Sequence, residues 1–130
     1  MQIGVGVYVV DSVSAVKLYS EAFGLTLGYH VLNADGTYFH SELSRCGEPF
    51  LSVVESRDGK PAGNAAQLGV TMPDKASLER AFELLSVGAD VSMPICELPW
   101  SPCAFSLTDS FGVWWFVSLP QHRPEGDELK

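Results

Sequence analysis

The chain has 130 residues, 46% of them hydrophobic, and a formal charge of −8 at pH 7. That is enough apolar material for one domain with a real core and too little for two independent ones. The acidic balance, with no Lys/Arg cluster to override it, tells against a nucleic-acid partner. The longest apolar runs, such as 111–117, fall far short of the roughly 20 residues a spanning helix needs, so no membrane partner is expected either.

Residues 3–10 are apolar and β-branched with glycines interleaved, which reads as a strand. Asp11-Ser12 then supplies an N-cap for a helix over 13–23, and Gly24 stands where a terminating glycine belongs. Val16, Tyr19 and Phe23, with Ala15, Leu18 and Ala22 alongside, form its buried stripe. Strands follow at 25–32, 38–43 and 50–55, divided by the turn Asn33-Ala34-Asp35-Gly36 and by Cys46-Gly47-Glu48-Pro49. A Gly/Lys/Pro/Asn-rich linker covers 56–66.

The second half repeats this order. Residues 67–72 read as a strand and Pro73-Asp74 as a helix entry, with Leu78, Ala81, Phe82 and Leu85 as the buried stripe before Gly88. A strand at 90–93, the stiff segment Glu97-Leu98-Pro99-Trp100-Ser101-Pro102-Cys103, a strand at 104–108, the turn Asp109-Ser110-Phe111-Gly112 and a strand at 113–119 complete it. Asp74 follows Asp11 by 63 residues (74 − 11), so the two halves are copies of one β-α-β-β-β module. Module 1 spans about 1–55 and module 2 about 67–119, within a single domain of 1–120; 121–130 is a polar tail expected to be poorly ordered. The expected class is α+β: two tandem βαβββ modules forming a cupped mixed sheet with helices on the convex face. A helix covers only one face of such a sheet, and the other must meet a partner or line a cavity.

The order and spacing of several stretches resemble the glyoxalase/bleomycin-resistance/extradiol-dioxygenase superfamily, the vicinal oxygen chelate proteins, and within it the PhnB-like branch. The matching stretches are Tyr8-Val9-Val10-Asp11-Ser12-Val13 leading to Leu18-Tyr19 and Phe23-Gly24-Leu25, then His40-Ser41-Glu42-Leu43, Gly88-Ala89-Asp90-Val91-Ser92-Met93-Pro94, and Asp109-Ser110-Phe111-Gly112-Val113-Trp114-Trp115. The resemblance implies a homodimer with a small organic molecule held on the concave sheet face. It also implies, in metal-using members, a ligand on the first strand of each module and a carboxylate on the last, because a divalent metal needs several converging N or O donors. Here Gly4 stands at the first position, Gln67 at its counterpart and Phe116 at the final carboxylate place; the remaining place falls near residues 52–55, where Ser52 would leave a poor site. The expected protein is thus a metal-independent small-molecule-binding protein without a cofactor. The alternative is a metal-dependent lyase, isomerase or dioxygenase using His40 and Gln67, with Glu42 or Glu55, around a divalent metal.

His40 and Glu42, at i and i+2 on one strand, project to the same face and are the candidate catalytic pair, a base with its orienting carboxylate; they are equally a solvated polar strip. His40 is open between general base, ligand donor, residual metal ligand and a histidine satisfied by a neighbouring strand, while His30 and His122 have weaker claims. Tyr38, His40, Ser52, Gln67, Trp100, Trp114 and Phe116 are the candidate ligand-binding residues. Alternation sends Trp114 and Phe116 to one face and Trp115 and Val117 to the other. By the family pattern the first pair faces the cavity, giving an aromatic floor, and Trp100 caps the site from a proline-stiffened lid; the other reading is that these rings fill the cavity or a dimer contact. Cys46, Cys96 and Cys103 lack C-x-x-C spacing and read as reduced thiols, with no His or Lys near Cys103 in sequence to activate it. No basic stretch precedes an apolar one near Met1, so a cytoplasmic location is expected.

Overall fold

Strand β1 (Gly6–Val9) leads into helix α1 (Ser12–Phe23), followed by β2 (Thr26–Leu32), β3 (Tyr38–Arg45) and β4 (Glu48–Glu55). The second half gives β5 (Leu68–Thr71), α2 (Lys75–Leu85), β6 (Asp90–Leu98), β7 (Ser101–Thr108) and β8 (Trp114–Ser118). The computed structural model describes residues 1–60, 63 and 65–120; part of the expected linker and the whole expected tail, including His122, lie outside the described residues. The strands form two mixed four-stranded sheets, ordered β1-β4-β3-β2 and β5-β8-β7-β6. Each contains one parallel pair, β1 with β4 and β5 with β8, and two antiparallel pairs. The chain divides into two compact units, residues Met1–Gly63 with Phe111–Val113, and Asn64–Ser110 with Trp114 onward.

In the first unit, period-2 alternation decides what is buried. Val7 and Val9 of β1, Ser41 and Leu43 of β3, and Leu51 and Val53 of β4 are all buried, on the face covered by Ala15, Val16, Tyr19, Ala22 and Phe23 of α1. Leu18 lies at the margin of that stripe, half-buried. The intervening residues Gly6, Tyr8, His40, Glu42 and Ser52 face the other way. Ser41 is fully buried, and its hydroxyl donates to the Val53 carbonyl at 2.6 Å, so the polar group costs the core nothing unpaired.

The start of α1 is held from outside the helix. Asp11, its N-cap, sits in the left-handed region at φ 68°, and its carboxylate accepts from the Ser14 N–H at 3.3 Å. Both oxygens of Glu55, at the end of β4, accept backbone N–H groups, Oε2 from Asp11 at 2.9 Å and Oε1 from Ser12 at 2.7 Å. A carboxylate here also meets the positive end of the helix dipole. Ser12 is itself buried, and its Oγ accepts from the Tyr38 N–H at 2.9 Å, tying the first residue of β3 to the same point. At the other end Gly24 takes φ 64°, and the N–H groups of Gly24 and Leu25 both reach the Ser20 carbonyl. In the β2–β3 turn, Thr37 donates to Asp35 from its hydroxyl and its backbone N–H, which holds the Asp35 carboxyl below the usual carboxylate range.

The second unit follows the same plan with a different core. Leu78, Ala81 and Leu85 of α2 are buried, and half-buried Phe82 packs at a tilt against Phe105 of β7, with 5.0 Å between ring centres. Phe105 pairs with Val117 and Leu107 with Trp115, so these four share the helix-facing side, as expected for Trp115. Trp115 is 1% exposed, and its Nε1–H donates to Asp109 Oδ2 at 2.8 Å. Two expectations are corrected. Pro94 does not end β6, which runs on to Leu98: it is an edge strand with register shifts on either side, where a missing N–H is tolerated. Residues 97–103 are accordingly not a lid loop but a tight hairpin, in which Leu98 pairs with Ser101 and only Pro99-Trp100 turn.

Two substitutions test these anchors. Glu55→Ala should lower unfolding free energy by about 2 kcal/mol in urea titrations, because two helix-start donors lose a charged acceptor, and Glu55→Gln should lose less. Asp109→Ala should cost about 1–3 kcal/mol by leaving the buried Trp115 indole N–H without this acceptor, seen as a shifted midpoint at unchanged slope.

Candidate functional site

The open face of the first sheet is built by register. Gly6 pairs with Ser52, and Ser52 with Glu42 on its other side, so strands β1, β4 and β3 set a glycine, a hydroxyl and a carboxylate in one row. A register shift between Leu43 and Ser44 turns β3 and β4 at the end of this row. There a cleft of about 440 Å³ opens, lined by Ile3, Gly4, Val5, Gly28, Glu42, Ser44, Pro49, Phe50 and Ser52 among others, all of the first unit. This volume lies within the range of small-molecule sites. A Cβ at Gly28 would meet the Glu42 carbonyl at 3.6 Å, an ordinary contact, and a Cβ at Gly4 would meet nothing within 4 Å. Phe50 supports the apolar end, its ring 5.5 Å from that of Phe23.

His40 lies beside the cleft, two residues along β3. Its Nε2 is 2.8 Å from Glu42 Oε2, with the side chains 36% and 55% exposed. The i, i+2 alternation thus brings the two together as expected. Tyr29 lies 6.0 Å from the His40 ring, and Tyr38 meets His30 edge-on at 5.7 Å, so Tyr38 and His40 stand in an aromatic and imidazole cluster on the β2–β3 hairpin.

The remaining candidates belong to the second unit. Trp114 and Phe116 are half-buried on the face of β8 away from α2, across from Thr108 and Ser106 of β7, and Phe116 pairs with Gly69 on its other side. Gln67 is exposed just ahead of β5. Trp100 is 44% exposed at the hairpin tip. The structure therefore groups Glu42, Ser52 and Gly4 at one cleft with His40 adjacent, and Trp114 with Phe116 on one sheet face. Cys103 is buried, Cys96 half-buried and Cys46 exposed in the β3–β4 turn at φ 51°.

The parallel pairs fix a register the sequence left open. Gly6 pairs with Ser52 and Gly69 with Phe116, and since the first strands are offset by 63 residues (69 − 6), Ser52 is the counterpart of Phe116. Glu55 is not available as a metal ligand, because both of its oxygens cap α1. On the pattern that the resemblance implies for metal-using members, the donor places fall at Gly4 and Ser52 in the first unit and at Gln67 and Phe116 in the second. A lone hydroxyl in one unit and a lone amide in the other make a poor donor set for a divalent cation in either, and among the described residues no three His, Cys, Asp or Glu side chains converge on one point.

The cleft residues Ile3, Ser44, Pro49 and Phe50 carried no signal in sequence. Their approach depends on the register shift in β3 and β4, which no periodicity announces.

No family model matches the sequence, and no curated protein matches it. Solved structures do. A Pseudomonas aeruginosa protein superposes with a TM-score of 0.77 at 23% identity, over 92% of this chain and 98% of its own. A PhnB protein from Bacillus cereus gives 0.77 at 20% identity, over 92% and 99%. A glyoxylase/bleomycin resistance protein/dioxygenase domain from a Frankia species gives 0.69 at 17% identity, over 92% and 97%. Likeness at these identities is likeness of fold. The chain has the glyoxalase/bleomycin-resistance fold, with a PhnB protein among its structural neighbours.

Proposed function

We propose that this protein binds a small organic molecule without the help of a divalent metal. The observation that supports the reading is an open cleft of the first unit at Glu42 and Ser52, together with the absence of any carboxylate or imidazole at the places where the resemblance implies donors, Gly4 and Ser52 in that unit and Gln67 and Phe116 in the other. In the first unit the ligand contacts are Ser52 and Glu42, with Tyr38 and His40 at the margin. In the second, Trp114 and Phe116 offer an aromatic surface on which a planar group stacks, each such contact worth about 0.5–1.5 kcal/mol beyond its buried area. Gln67 and Trp100 add an amide and an indole. A homodimer in the cytoplasm belongs to the same proposal; Tyr29, Leu32 and Phe39, all at least half exposed, are apolar surface that a second copy would cover.

The second reading, a lyase, isomerase or dioxygenase, rests on the 2.8 Å contact between His40 and Glu42. A carboxylate on one imidazole nitrogen orients the ring and favours a proton on that nitrogen, leaving the other to accept one from a substrate. In its metal-dependent form this reading calls on Gln67 and His40, which supply one weak donor and one good one.

Metal analysis and thermal unfolding separate the two. A cation at a hundredfold excess over its Kd would stabilise the folded chain by about 2.7 kcal/mol. The expected result is that Mn²⁺, Fe²⁺, Ni²⁺ and Zn²⁺ leave the Tm unchanged and that the purified protein carries less than stoichiometric metal. A stoichiometric metal whose chelation lowers the Tm overturns the proposal. Trp114→Ala should weaken the binding of planar aromatic ligands about tenfold, read by calorimetry, with little loss of Tm because the ring is not part of the helix-side core.

A further inference from the structure

We infer that the cleft of the first unit selects organic cations, monovalent amines with an apolar body. The inference rests on the proposed binding function and names its ligand class. Among the described residues, Glu42 is the one ionisable side chain lining the cleft. The rest of the lining is apolar or neutral: Ile3, Pro49 and Phe50 at one end, Ser44 and Ser52 near the carboxylate. Such a wall offers a hydrocarbon body its apolar contacts and an ammonium group a charge-assisted hydrogen bond. It offers an anion two neutral hydroxyls beside a carboxylate that repels it.

The carboxylate is placed to receive that group. Its contact with His40 is made through Oε2, and Oε1 remains for a ligand. Strand pairing with Ser52 sets the Glu42 backbone beside the cleft, and the contact with His40 orients its carboxylate. The chain's charge of −8 acts in the same direction at long range, raising the local concentration of cations around the protein. Because the Glu42 side chain is 55% exposed, water and salt screen the interaction, and its contribution is that of a surface pair.

Three probes of one shape test this: phenethylamine, phenethyl alcohol and hydrocinnamate, titrated into the full chain by calorimetry or ligand-observed NMR at low salt. The amine should bind about fivefold more tightly than the alcohol, with hydrocinnamate weakest, and the gap should close as salt rises. Glu42→Gln should bring amine and alcohol level. Gly4→Phe, which adds a ring at a lining position where a Cβ meets nothing within 4 Å, should abolish binding of all three, with circular dichroism confirming that both variants are folded. If amine and alcohol bind equally while Gly4→Phe blocks both, or if the preference survives Glu42→Gln, the cation assignment is overturned and the binding cleft stands. If no probe binds, or Gly4→Phe leaves binding unchanged, the cleft itself falls as the site, and the cation assignment with it.

Discussion

Two hydrogen bonds from the start of α1 to the Glu55 carboxylate join the end of one strand to the start of a helix, and the Ser12 hydroxyl passes the same constraint to the first residue of β3. Three elements distant in sequence meet at this point. The exposed donors of a helix start must find acceptors, and a carboxylate answers both the hydrogen bonds and the dipole. With Tyr38 fixed to Ser12, the alternation of β3 is fixed as well, Ser41 and Leu43 toward the helix, His40 and Glu42 away from it. The same clamp engages Glu55, which lies on the helix-facing side of β4 with Leu51 and Val53 and not on the side of Ser52.

The clamp leaves a sheet face with its chemistry set by small residues and one acid. The parallel pairing of β1 with β4 and of β5 with β8 places equivalent residues of the two modules at equivalent points, Gly6 with Ser52 and Gly69 with Phe116. On this scaffold the two modules diverge. The first leaves space, because Gly4 and Gly28 contribute no side chain to the cleft and Ser52 contributes a short one. The second fills the corresponding face with Trp114 and Phe116. One fold thus carries, among the described residues, a cleft with a single ionisable side chain in one unit and two aromatic side chains on one sheet face in the other. Shared architecture does not transmit chemistry, since the residues at a few register positions decide it.

The sequence by itself determined the repeat, the two helices and the division of each strand into inner and outer faces. Asp11 and Asp74 cap helices, Gly24 ends one in the left-handed conformation, and Trp115 faces α2 while Trp114 and Phe116 do not. These are local matters of dihedral preference and period, and a one-dimensional pattern records them. The pairing of His40 with Glu42 was legible for the same reason, as two residues on one strand.

Only the tertiary structure decided the rest, because pairing partners far apart in sequence leave no periodic trace. It aligned Ser52 with Phe116, drew Glu55 to the helix start, continued β6 through Pro94 as an edge strand and reduced residues 97–103 to a hairpin. It also brought Ile3, Pro49 and Phe50 to Glu42 across a register shift. Register is a relation between strands, settled by which faces can be buried together and which polar groups must be paired.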